Sequence, residues 1–236
     1  MHNLLKSVLP ICIVLGLCQD AIADAISTYG VSIDTVSLIG HPAGPFYLYL
    51  EFIDGSGVGD ANNTVRVNNV SLGRGSALGG PIVFGGATGS LATGVSITDS
   101  SPVNIFSQQF TAGQKLSFSL GLTSNDDSGG IPDGFTVFIL DNSAVPLPTL
   151  APGGDYFLTV ALHSSGPVFN VYGSDPSRSP SVGNPVSIPA PVVTPATPSV
   201  PEPGTAWLMG IAALLWIAAI TKAAQRRRPS RRLSSQ

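Results

Sequence analysis

Between Gly44 and His163 the apolar residues recur at every second position, the spacing of strands with one buried face. Phe46, Leu48, Leu50 and Phe52 alternate with Tyr47, Tyr49 and Glu51. Leu116, Phe118, Leu120 and Leu122 alternate with Lys115, Ser117, Ser119 and Gly121. Tyr156, Leu158, Val160 and Leu162 share one side of a further run, and Phe135–Leu140 is apolar on both faces, as in a central strand. Within 64–72, Val65 and Val67 keep one phase and Val70 and Leu72 the other, which predicts a bulge or tight turn at Asn68-Asn69. This region carries no apolar stripe at helical spacing.

The connections are built from Gly, Asn, Asp and Ser: DGSGVGDANN at 54–63, GRGSALGG at 73–80 and NDDSGG at 125–130. Short strands separated by such turns predict an all-β fold, an antiparallel β-sandwich or jelly roll, over residues 24–175. After about Asp175 the pattern stops. Nine of the 28 residues from Pro176 to Pro203 are proline, so 176–200 is expected to be an extended, solvated stalk.

Both ends of the chain carry targeting signals. Lys6, the apolar Ser7–Leu17 and the small residues Ala21 and Ala23 match a cleaved signal peptide over 1–23. A lipoprotein signal using Cys18 is the alternative, but Leu17 stands where a small residue is normal. Cleavage after Ala23 removes Cys12 and Cys18, which leaves a mature chain without thiol or disulfide. At the other end, 204–221 contains eighteen uncharged residues, about 27 Å of helix against a hydrocarbon core of roughly 30 Å. Trp207 can sit at the outer interface and Lys222 can snorkel. Arg226, Arg227 and Arg228 then hold the tail 229–236 in the cytoplasm, with the preceding domain outside.

Pro201-Glu202-Pro203, this span and the arginine cluster together resemble the C-terminal sorting signal of PEP-CTERM proteins, here covering 201–228. That resemblance implies recognition of Pro201, Glu202 and Pro203 by an exosortase, a membrane-embedded protease or transpeptidase. It further implies an inner-membrane stage followed by delivery to the cell surface or extracellular matrix, in bacteria that make extracellular polysaccharide. The tail beyond Arg228 is longer than the usual stub. FYLYLEFIDGSG, NNTVRVNNVSLG, SITDSS, FTAGQKLSFSLGLTSN and PDGFTVFILD, within 44–165, are similar to a β-sandwich ectodomain that recurs in this family and has no assigned activity.

Charge bounds the partners. Between Asp24 and Val200 four basic residues stand against twelve acidic ones, a net charge of −8, which repels nucleic acid and anionic lipid. Catalysis has no support in the sequence. There is no G-x-S-x-G elbow and no phosphate-binding glycine loop with lysine, and the mature histidines His41 and His163 lie far apart in sequence. The expectation is a non-enzymatic protein with a structural or adhesive role. A carbohydrate-binding module is the alternative, with Tyr47, Tyr49 and Tyr172 as candidate contacts and no ectodomain tryptophan to assist them.

Calcium is the one inorganic partner to weigh. Asp54, Asp60 and Asn62 lie in one loop, and Asn125, Asp126, Asp127 and Asp133 in or beside another. Oxygen ligands on turns suit Ca²⁺, which makes Asp54, Asp60, Asp126 and Asp127 the candidate ligands. The competing reading, favoured on sequence grounds, is that turns simply require Asp, Asn and Gly.

Overall fold

The computed structural model describes residues 26–127 and 129–196. The signal segment with Ala21 and Ala23, the Pro201-Glu202-Pro203 motif, the span 204–221, and Lys222 with Arg226–Arg228 lie outside the described residues. Among the described residues no helix is long and apolar enough to cross a membrane.

The described chain is all-β. Its strands are β1 (Ser27–Asp34), β2 (Phe46–Ile53), β3 (Thr64–Ser71), β4 (Ser76–Phe84), β5 (Gly86–Ser90), β6 (Gly94–Thr98), β7 (Val103–Thr111), β8 (Lys115–Leu122), β9 (Asp133–Leu140), β10 (Leu158–Leu162), β11 (Val168–Val171) and β12 (Val192–Pro195). One three-residue 3₁₀ turn, Val36–Leu38, interrupts the connection from β1 to β2. The strands form two six-stranded antiparallel sheets, in the orders β12-β1-β8-β3-β6-β5 and β11-β10-β9-β2-β7-β4.

Alternation explains how these sheets pack. Along β2, Phe46, Leu48, Leu50 and Phe52 are buried, while Tyr47, Tyr49 and Glu51 are half-buried on the other face. β8 and β9 bury alternate residues in the same way. The inward residues of both sheets make one apolar core, whose largest members include Phe46, Phe52, Phe106, Phe110, Phe135 and Phe157. Burying each such side chain stabilises the fold by roughly 1.5–3 kcal/mol. β9 lies inside its sheet between β10 and β2, as its apolar composition predicts. The phase change at Asn68-Asn69 is a shift of register in the pairing of β3 with β8, with Asn69 at φ 53°.

One expectation needs correction. The proline-rich segment from Pro176, expected to be a solvated stalk, belongs to the domain as far as Ala196. Val186 and Ile188 are buried in the core, and the Ser174 hydroxyl donates to the Val186 carbonyl while accepting the Ile188 N–H. Val192–Pro195 then pairs with β1 as an edge strand, a place where proline costs no ladder bond. Prolines had hidden the few apolar positions that matter.

Candidate metal centre

Three connections pass from one sheet to the other at the same end of the domain. They are 54–63 between β2 and β3, 99–102 between β6 and β7, and 123–132 between β8 and β9. Asp54 directly follows β2, Asp99 directly follows β6, and Asp133 opens β9. Carboxylate oxygens of these three buried residues lie within 4.8 Å of one another. A second group, Asp54, Asp60 and Asp127, meets the same distance and shares Asp54 with the first.

The glycines of 54–63 bring the loops together. A Cβ on Gly55 would stand 2.4 Å from the Ile131 carbonyl oxygen, and one on Gly59 would stand 2.7 Å from Cα of Ser101. Only a bare backbone fits in either place.

Hydrogen bonds hold most of the carboxylates. Asp54 Oδ2 accepts the Gly59 N–H at 2.6 Å and the Ser56 hydroxyl at 2.9 Å, and Oδ1 accepts the Ser56 N–H at 3.2 Å. Asp133 accepts the Gly55 N–H at 2.7 Å and Asn63 Nδ2 at 2.8 Å. Asp127 accepts the Ser56 N–H at 2.7 Å and Asn62 Nδ2 at 2.6 Å. Asp60 accepts the Asn62 N–H at 3.1 Å. Asn63, fully buried, links all three connections. Its N–H donates to Asp99 Oδ2 at 3.0 Å, and its amide also binds the Asn125 backbone.

Asp99 is the exception. It is fully buried, Oδ2 has the Asn63 N–H, and among the described residues Oδ1 has no donor. Burial, aided by the facing Asp133 and opposed by the Asn63 N–H, pushes its carboxyl up to about 7. At Asp54 burial also opposes ionisation, but the Gly59 N–H and the Ser56 groups outweigh it and hold the carboxyl below its ordinary value. Burial raises Asp127. Among the described residues the only ion pairs are those of Arg178 with Asp155 at 2.5 Å and Asp175 at 2.9 Å, so none of the five clustered aspartates meets a cation.

Of the four sequence candidates, Asp54, Asp60 and Asp127 come together and Asp126 does not. Asp126 is exposed and accepts the Ser164 N–H at 2.8 Å and the Ser164 hydroxyl, which hold its carboxyl low. Sequence reasoning missed Asp99. Its one signal was isolation, as the single acidic residue between Asp60 and Asp126, placed where an alternating run ends.

Two further features bear on function. His41 has Nε2 2.9 Å from the Asn184 carbonyl oxygen, and Nδ1 accepts the Ala43 N–H at 3.2 Å. On the outer face of the second sheet, Tyr49, Phe138, Tyr156 and Tyr172 form a row of edge-to-face contacts with centroid spacings of 5.5, 6.1 and 5.5 Å. Burial and the neighbouring Glu51 push the Tyr49 phenol up to about 12.

No protein-family model, curated protein or solved structure matches the chain.

Proposed function

We propose that this is an exported, non-enzymatic protein of the cell surface or extracellular matrix, sorted through a PEP-CTERM route, with a structural or adhesive role. The observation that carries the reading is Pro201-Glu202-Pro203 placed directly before eighteen uncharged residues and an arginine cluster. The span and its charges account for halting in the inner membrane with the domain outside. They give no reason for a Pro-Glu-Pro wedge at the outer edge, and recognition by an exosortase-type enzyme does. The sandwich itself we assign to the jelly-roll type, because the chain changes sheet at every step from β1 to β5 and again from β6 to β9. Replacing Pro201, Glu202 and Pro203 together by alanine tests the sorting reading by fractionation. The variant should remain in the inner membrane while the parent reaches the surface or matrix; equal distribution of the two contradicts the proposal.

Binding of extracellular polysaccharide is the second reading, favoured by the aromatic row from Tyr49 to Tyr172. Sugar rings stack on such side chains. Tyr156→Ala and Tyr172→Ala should each weaken retention on immobilised polymer, and unchanged retention removes this reading.

A further inference from the structure

We propose that Asp54, Asp99 and Asp133 form a binding site for one divalent cation of the calcium class, seated where the three sheet-to-sheet connections meet. Turn chemistry accounts for part of the cluster. Asp54 and Asp60 each accept the N–H two residues ahead, at Ser56 and Asn62, as aspartates in turns do. It does not account for Asp99, which caps no turn of its own and whose buried Oδ1 has no donor among the described residues. An unpaired carboxylate oxygen inside a protein costs free energy that something must offset.

The other unsatisfied buried oxygens point to the same end. Among the described residues, the buried side-chain polar atoms without a partner are Asp99 Oδ1, Asn62 Oδ1 and Ser124 Oγ, all from the connections around the cluster. Around a cation with bonds of about 2.3–2.6 Å, ligand oxygens lie at most about 5 Å apart, which the three carboxylates satisfy. The donor set is oxygen alone, with neither histidine nor cysteine, and it sits at strand ends and loops. Those properties fit Ca²⁺ better than zinc or a softer metal. A shared proton between Asp99 and Asp133 is the competing way to relieve the repulsion. The cation site stands on these residues whether or not the sorting reading holds.

The test is calorimetric titration of the metal-free full-length chain, kept in detergent, with CaCl₂, beside thermal unfolding with and without Ca²⁺. We expect one ion per chain and a rise in the melting midpoint on the order of 5–10 °C at about a hundredfold excess over Kd. Asp99→Asn should abolish both. The amide it introduces can donate to Asp133 as a protonated Asp99 would, so the metal-free variant should melt no lower than the metal-free parent. Loss of the calcium response is then not loss of the fold. Should Asp99→Asn fail to fold, Asp54→Asn serves in its place, while Asp126→Asn should bind as the parent does. Absence of Ca²⁺ uptake by the parent assigns the pair to a shared proton and overturns the proposal. Uptake unaffected by both Asp99→Asn and Asp54→Asn overturns it as well.

Discussion

Asp99 and Asp133 bring their carboxylates together from opposite sheets, one at the end of β6 and the other at the start of β9, and among the described residues no cationic side chain is in salt-bridge contact with either. A like-charged pair of this kind has a pH signature. The ordinary value for Asp99 is 3.8, and its folded-state value is pushed up to about 7, by burial first and then by the facing Asp133, with a smaller contribution from Asp60. Between these values the folded chain holds a proton that the unfolded chain has released. Stability from this group is therefore lost as pH rises through that window, by at most about 1.4 kcal/mol per pH unit. Metal-free protein should melt higher near pH 5 than near pH 8, and saturating Ca²⁺ should remove that difference. A steady rise in the metal-free melting midpoint from about pH 5 to 8 would count against the buried pair.

Asn63→Ala should destabilise the domain by about 2–4 kcal/mol, because it removes one buried hydrogen bond each from Asp133 and the Thr123 hydroxyl and two from the Asn125 backbone. Urea unfolding measures this directly. A cost under about 0.5 kcal/mol, the range of a surface change, would mean that Asn63 does not tie the connections together.

The glycines of 54–63 should differ sharply from one another. Gly55→Ala forces a methyl against the Ile131 carbonyl and should cost more than about 2 kcal/mol. Gly57 has φ +74° with open space around it, so Gly57→Ala should cost only the left-handed penalty of about 1 kcal/mol. Equal costs would contradict the close approach of the connections.

What could be read from the sequence follows from how local each feature is. Strands such as β2 and β8 announce themselves, because alternation is a property of neighbours. So does the irregularity at Asn68-Asn69. The cluster is different, since Asp54, Asp99 and Asp133 meet only through sheet pairings spread over some eighty residues. Asp126 and Asp127 show the limit most plainly. Adjacent in sequence and alike in composition, they part company: Asp127 turns into the cluster and Asp126 turns out to Ser164. Proline content misled for a related reason, because it signals local stiffness and is silent about whether Val186 and Ile188 find a core.

That last point is testable in its own right. Ile188→Ala should cost about 2–4 kcal/mol, as expected for a buried side chain, whereas Val192→Ala, at an exposed position, should stay within about 0.5 kcal/mol. A freely solvated stalk predicts no cost at either position.

Mass spectrometry of the C-terminus of the mature protein, recovered from surface or matrix fractions, tests the proposed route most directly. The surface-borne chain should end near Pro201-Glu202-Pro203 and lack Arg226, Arg227 and Arg228. An intact C-terminus through Gln236, found only in the inner membrane, would contradict it.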